Sequence, residues 1–360
     1  MVERRFNFSS GPAVLPEPVL LQLREELWSI DGTGIGIAEH SHRGPVFDRV
    51  LDDAVQAVRA VSGLGHDWDV LFLQGGATMH FGFIPLNFLG DGRSAAFIDT
   101  GIWTTKAIPE ARRHGDVRIL WSGKDSGWDR VPGHREVPSA AGHAYLHYCS
   151  NNTIEGTQFF GAPDATAPLV RDASSDIFSR RFDLARHSFI FAGAQKNIGL
   201  SGNVLALVRK DFLATARTDL SPMFSYREHA KAGSRLNTPN TIGIRAIGLC
   251  CRWILDEGGV AAMEARNEAK AALIYDAIDT SGGFYRGCAH AASRSRMNIT
   301  FRLGSAELEA QFASEAATQG LDGLAGHRTF GGIRASIYNA MPFAGCEALA
   351  GFMREFMRGA

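Results

Sequence analysis

No stretch of the 360 residues reaches the roughly 18 consecutive apolar residues that a membrane-crossing helix needs. The amino terminus, MVERRFNFSSGP, carries no apolar segment of signal length, so a soluble, cytoplasmic protein is expected. There is no excess of charge either. Lys plus Arg number 37 against 38 Asp plus Glu, which leaves no overall field to recruit nucleic acid or an anionic membrane. Small molecules are the expected partners. Cysteine is sparse: Cys149, Cys250, Cys251, Cys288 and Cys346 are odd in number and scattered, with one adjacent pair and no metal-ligand spacing. They read as reduced thiols packed as small hydrophobes. Internal repeats and low-complexity tracts are also missing.

What is present is enough chain for two lobes, since single cores stop growing at roughly 250 to 300 residues. Short β-rich runs recur at DVLFLQ (69–74), AAFID (95–99), VRILW (117–121), AYLHYCS (144–150), PLVRDAS (168–174), SFIFAG (188–193) and NVLALVRK (203–210). Helical patterning separates most of them, as in TTKAIPEARRHG, so the spacing predicts an α/β fold with a mostly parallel sheet covered on both faces. The last run follows a short glycine-bearing link that suits an antiparallel pairing. From about Arg245 long helical patterns take over, with IRAIGLCCRWILDEGGVAAMEARNEAKAALIYDAID expected as a helical segment, then a strand MNITFRL and two further helices. The expected division is a large lobe over 16–255 and a smaller α+β lobe over 256–360, completed by residues 1–15.

In open parallel sheets ligands gather at the carboxyl ends of strands. Lys196, in FIFAGAQKNIGLSG, falls just past the end of one run, and Asp172 lies near the end of the preceding one. Each alone reads equally well as a loop lysine or a turn aspartate. Together they suit pyridoxal phosphate chemistry, in which a lysine amine bonds to the cofactor aldehyde and a carboxylate keeps the pyridine nitrogen protonated. A nearby opposite charge moves a titrating group by about one to three pKa units, enough to hold that proton at neutral pH. The freed lysine then serves as the base, provided burial lowers its pKa from about 10.4.

The segment LQGGATMHFGFIPLNFL runs from a strand through Gly75 and Gly76 into a helix, with Thr78 in its first turn. Backbone amides at such a start form an anion site, although the same pattern also makes an ordinary βα connection. Trp103 follows a strand end, where it suits either the core or a flat ring to stack on. Thr153 follows another strand end and reads as a turn residue or as a donor to a ring oxygen. Asn237 and Thr238 precede Pro239 in a turn-like NTPN.

With these residues in place, the sequence resembles the phosphoserine aminotransferase family, class V members of the fold-type I pyridoxal phosphate enzymes. The resemblance runs end to end, through FNFSSGPAVLP, SHRG, QGGAT, HYCSNNTIEG, AGAQKNIG, NTPN, SRMNITF, GHR and RASIYNAM. It implies that Lys196 binds the cofactor covalently, Asp172 holds the pyridine nitrogen and Trp103 stacks on the ring. It further implies that Thr153 contacts the ring oxygen, and that Ala77, Thr78 and Gln195 surround the phosphate. Asn237 and Thr238 would be contributed to the neighbouring subunit's cofactor phosphate in a homodimer with shared sites. The substrates implied are L-glutamate, phosphohydroxypyruvate and O-phosphoserine, with a phosphorylated hydroxythreonine of vitamin B6 synthesis as a second possibility.

Each substrate carries two anionic groups, and an arginine fork pairs bidentately with either kind of oxyanion. Arg334 is therefore expected at the α-carboxylate. His42 and Arg43, with His327 and Arg328, are expected at the distal group. Two alternatives stay open: a lyase or desulfurase on the same scaffold, and a non-catalytic protein that binds phosphate ligands. The sequence departs from the family pattern at His40, Arg171, Ala173, Leu200 and Asn240.

Overall fold

The computed structural model describes residues 4–90, 92–133, 135–328 and 330–359. All seven expected β runs enter one sheet, as β1 (Trp68–Gln74), β2 (Ser94–Asp99), β3 (Asp116–Ser122), β4 (Leu146–Cys149), β5 (Leu169–Asp172), β6 (Phe189–Gly193) and β7 (Asn203–Arg209). Their order in space is β1-β7-β6-β5-β4-β2-β3. Neighbours from β6 to β3 run parallel, and β7 runs antiparallel to both β1 and β6.

The longer helices are α1 (Glu17–Trp28), α2 (Pro45–Ser62), α3 (Ala77–Phe88), α4 (Ile102–Arg112), α5 (Thr241–Asp256), α6 (Gly259–Asp279), α7 (Ala306–Thr318) and α8 (Phe343–Gly359). None is long and apolar enough to cross a membrane. Side chains alternate across each strand, and here both faces are covered. Ile190, Ala192, Leu205 and Leu207 join residues of α2 and α5 in one core, while Phe189, Phe191, Val204 and Ala206 join α3 and α4 in another. Burial on both sides is why these strands read as unbroken apolar runs.

The long helical stretch expected after Arg245 is two helices. Gly258 and Gly259 adopt φ of 97° and 77°, a left-handed region open to glycine at little cost, and the chain turns there. Asn240, one of the departures from the family pattern, caps α5 by accepting from the Gly243 N–H at 3.0 Å.

A second core gathers around a four-stranded antiparallel sheet of β8 (Arg286–Gly287), β9 (Asn298–Arg302), β10 (Ala325–His327) and β11 (Gly331–Ser336), in the order β8-β9-β11-β10. Ile299, Phe301, Ile333 and Ala335 pack there against α6, α7 and α8. Phe8 belongs to this core, and residues 6–7 pair in parallel with 321–322. Cys149, Cys250, Cys251 and Cys346 are buried as expected, but Cys288 is exposed, because it follows the short edge strand β8.

Helix α6 touches both cores, through Met263 on one side and Ile274 and Ile278 on the other. Between those positions lies Lys270, fully buried, whose Nζ donates to the carbonyls of Ile337, Tyr338 and Met341 at 3.0, 2.8 and 3.1 Å. Burial pulls its pKa down to about 7. Three acceptors match the three donors of an ammonium, whereas a neutral amine offers two. Lys270→Met leaves three carbonyls unpaired, at about 1 kcal/mol each. It is expected to lower unfolding stability by about 3 kcal/mol in chemical denaturation, and an unchanged midpoint would mean that the carbonyls find other partners.

Candidate active site

Asp172 ends β5 opposite Phe191 of β6, and Lys196 follows three residues after β6 closes. Two neighbouring parallel strands thus deliver a carboxylate and an amine to one sheet edge. Ser174 ties the two ends together. Its N–H and hydroxyl donate to Asp172 Oδ1 at 2.9 and 2.6 Å, and its oxygen accepts from the Gly193 N–H at 3.0 Å. Both hydrogen bonds to the Asp172 carboxylate fall on Oδ1, which leaves Oδ2 as an acceptor.

Burial raises the Asp172 pKa, opposed by the Lys196 charge and by Ser174. Burial lowers the Lys196 pKa, opposed by the Asp172 charge. Each group is held partly charged by the other. Lys196 Nζ also sits 4.6 Å from the Trp103 ring centroid, a cation–π distance.

Trp103 lies in the first turn of α4, and its Nε1–H donates to Thr153 Oγ1 at 3.0 Å. Just before it, Gly101 allows Glu155 to approach, since a Cβ there would stand 2.4–2.6 Å from the Glu155 carboxylate. Glu155 Oε1 accepts from the Ile102 N–H at 2.7 Å, while Oε2 is buried without a partner. Burial pushes the Glu155 pKa up to about 7. From β11, Arg334 reaches the Thr153 carbonyl with Nη1 at 3.5 Å, and its Nε is buried without a partner. Burial lowers its pKa. Glu155, Thr300, Arg302, His327 and Arg334 line a cavity of about 210 Å³. Burial lowers the His327 pKa, and the charges of Arg334, Lys106 and Arg328 add to that.

At the other side, Gly75 and Gly76 take φ of 101° and 78° and turn the chain from β1 into α3, whose first residues are Ala77 and Thr78. β6 comes close to this start: a Cβ on Gly193 would lie 3.4 Å from Ala77 N. The amino-terminal segment crosses over the lysine, where a Cβ on Gly11 would lie 3.3 Å from Lys196 Cγ. It is tied down by the Ala13 N–H donating to the Gln195 carbonyl at 3.0 Å and by the Tyr338 hydroxyl donating to the Ser10 carbonyl at 2.7 Å.

Residues 5–349 match the family model for class-V aminotransferases. The phosphoserine aminotransferase of Herpetosiphon aurantiacus is 46% identical over 352 residues, spanning 98% of each chain. The chain belongs to the class-V aminotransferases. The solved phosphoserine aminotransferase of Bacillus circulans subsp. alkalophilus has the same fold, with a TM-score of 0.97 at 45% identity over 99% of both chains. A phosphoserine aminotransferase structure described for radiation damage of its Schiff base aligns at 0.96 with 42% identity, over 99% of this chain and all of that one. The architecture of this aminotransferase is therefore fold-type I, as the resemblance implied.

Of the residues singled out from the sequence, Lys196, Trp103, Thr153 and Arg334 form one chain of contacts, Asp172 acts on Lys196 through its charge, and Ala77 and Gln195 adjoin them. His327 borders the cavity beside Arg334, and Arg328 follows it as an exposed residue. Thr78 is exposed at the start of α3. Arg43 and Thr238 are exposed, the Thr238 carbonyl accepts from Gln74 Nε2 at 2.9 Å, and the Thr241 hydroxyl donates to the Ile37 carbonyl. No hydrogen bond among the described residues joins His42, Arg43, Asn237 or Thr238 to Lys196 or Asp172.

Sequence reasoning missed Ser174 and the role of Glu155. An Asp-x-Ser spacing at a strand end, the signature of a side-chain-capped turn, could have found Ser174. His40 is engaged elsewhere, with Nε2 3.1 Å from Thr33 Oγ1.

The Glu155 pKa of about 7 lies above that of an exposed glutamate, near 4.3. The native state therefore holds more protons across that interval, so this group makes stability fall as pH rises from about 4 to 7. Glu155→Gln keeps the acceptor for Ile102 and removes the titration. The variant is expected to gain stability relative to wild type as pH rises through that window, and parallel pH profiles would contradict the shift.

Proposed function

We propose that this aminotransferase moves an amino group between L-glutamate and 3-phosphohydroxypyruvate, giving O-phospho-L-serine and 2-oxoglutarate, with pyridoxal 5'-phosphate as cofactor. What carries the reading is the Lys196–Asp172 pair at neighbouring strand ends, in a chain similar over its whole length to phosphoserine aminotransferases. The residues present suit the cofactor. Asp172 Oδ2 is an available acceptor, Trp103 offers a ring face beside Lys196 Nζ, and the start of α3 presents backbone amides behind two glycines.

When bound, the cofactor supplies an aldehyde that takes up the amino group and a pyridinium ring that draws electrons from the substrate Cα. Lys196 Nζ would anchor it and would be the base that moves the proton to and from the substrate Cα. The lowered pKa of Lys196 supports its action as a base. Asp172 Oδ2 would keep the proton on the ring nitrogen, and Thr153 Oγ1 would serve the ring oxygen. Ala77, Thr78 and Gln195 would surround the phosphate. Arg334 takes the α-carboxylate, where its unpaired Nε–H is a ready donor.

We assign the distal anion to His42, Arg43, His327 and Arg328, and assign Asn237 and Thr238 to a partner subunit's phosphate in a homodimer. The exposure of Arg43 and Thr238 supports this, as do the exposed Trp28, Met79 and Met223. The division into a cofactor lobe (16–255) and a second lobe (256–360 with 1–15) is supported by the core that Phe8 shares with residues 271–356, although Met263 packs into the first core. A cytoplasmic setting fits five free cysteines. A desulfurase reading is disfavoured, because burial raises the thiol pKa of Cys149, the cysteine beside the Asp172–Lys196 strand ends, and so suppresses the reactive thiolate.

The deciding experiment is the absorbance of the cofactor-loaded protein on adding O-phospho-L-serine, glutamate or cysteine. The cofactor band is expected to change with the first two, and a response to cysteine alone would overturn the reading. Lys196→Ala is expected to lose the covalent cofactor and slow turnover by roughly a thousandfold or more; near-normal rates would sink the mechanism. Arg43→Ala is expected to impair phosphoserine and glutamate far more than alanine, and equal losses for all three would remove it from the distal-anion site.

A further inference from the structure

Behind the sheet, a cavity of about 180 Å³ opens among Arg171, Asp176, Arg180, Arg181 and Phe182, closed by Val61 of α2 and Val260 of α6. Arg171 and Asp172 are consecutive on β5, so their side chains leave opposite faces of the sheet. Asp172 serves Lys196, and Arg171 serves this cavity.

Arg171 and Arg180 are only 1% and 5% exposed. They share a single carboxylate, with Asp176 Oδ2 at 3.0 Å from Arg171 and 3.6 Å from Arg180. Asp176 also accepts from the Ser150 hydroxyl at 2.5 Å and from Gln158 at 3.4 Å. The two guanidinium carbons stand 3.8 and 4.5 Å from the Phe182 ring centroid. Arg181, at the exposed edge, is occupied by Glu264 at 2.8 Å. His187, drawn down to about 3 by burial, contributes no charge near neutral pH.

The buried groups are therefore two cations against one anion, and the Nε atoms of both arginines are buried without a hydrogen-bond partner. An uncompensated buried charge and unmade charged hydrogen bonds are both costly. An anion seated in the cavity against the two guanidinium groups would supply the missing countercharge. We propose that this cavity binds a small oxyanion, a phosphate or a carboxylate, between Arg171 and Arg180, at a site separate from the one around Lys196.

The test uses the full-length enzyme loaded with cofactor. Crystals grown without sulfate or phosphate and soaked in selenate are expected to give an anomalous selenium peak within hydrogen-bond distance of Arg171 and Arg180, besides any at the active-site arginines. A cavity left empty while selenate reaches the active site would overturn the proposal. In solution, inorganic phosphate or acetate is expected to raise the thermal midpoint, and Arg171→Met to lose at least about half of that shift while retaining the cofactor band. The more effective of the two anions identifies the ligand class. Equal shifts in wild type and variant, or none with either anion, would contradict the site. A selenium peak without an Arg171-dependent shift would mean an adventitious ion only and would likewise refute it. Should Arg171→Met not fold, Arg180→Met takes its place in the thermal-midpoint comparison, with the same outcomes.

Discussion

Burying an amine at the end of a sheet covered on both faces is the constraint on which the rest of this structure depends. Strands β5 and β6 are apolar on both sides, so their carboxyl ends are where polar groups can gather without breaking the core. Lys196 alone there would be driven to neutrality, and Asp172 alone would be driven to protonation. Set on adjacent strands, each lowers the cost of the other's charge. Ser174 completes the arrangement by spanning both strand ends with three hydrogen bonds. The same requirement for a dense, glycine-lined approach recurs at Gly11 and Gly101, where a Cβ would press on Lys196 or Glu155.

The second core is joined to this site by a buried polar seam rather than by apolar packing alone. Next to the lysine, Asn197 donates to the Ile177 carbonyl and accepts from the Asn339 N–H at 2.9 Å. Asn339 in turn accepts from Asn267 on α6 at 2.8 Å, one turn before Lys270 and its three carbonyls. Segment 337–341 is thus fixed against the lysine loop on one side and α6 on the other. Arg334 lies just ahead of it on β11, and the amino-terminal segment is clamped between them through Tyr338. Arg334 is therefore referenced to the lysine through hydrogen bonds whose loss would leave buried groups unpaired.

Much of the site was legible because its signals are local. A strand run, a glycine turn and a lysine or aspartate at the run's end are all contained within a dozen residues, and motif resemblance supplied their roles. The gaps arose where a residue's meaning depends on a distant partner. Glu155 is an unremarked acid in HYCSNNTIEG until Gly101 and Ile102 come against it. Arg171 reads only as a departure from the family pattern until Asp176, Arg180 and Phe182 close around it. Cys288 reads like the other cysteines, yet it follows an edge strand and is exposed.

By itself the sequence determined the seven strands, the reversal at the last of them, and the placement of Lys196 and Asp172 at neighbouring strand ends. Periodicity and strand-end position are properties of short segments, so they survive without knowledge of the fold. Only the tertiary structure decided which charges share a counterion, which donors stay unpaired, and where the two helices after Arg245 separate. Those outcomes depend on burial and on contacts between residues far apart in the chain, and the electrostatic cost of a group is set by what surrounds it after folding.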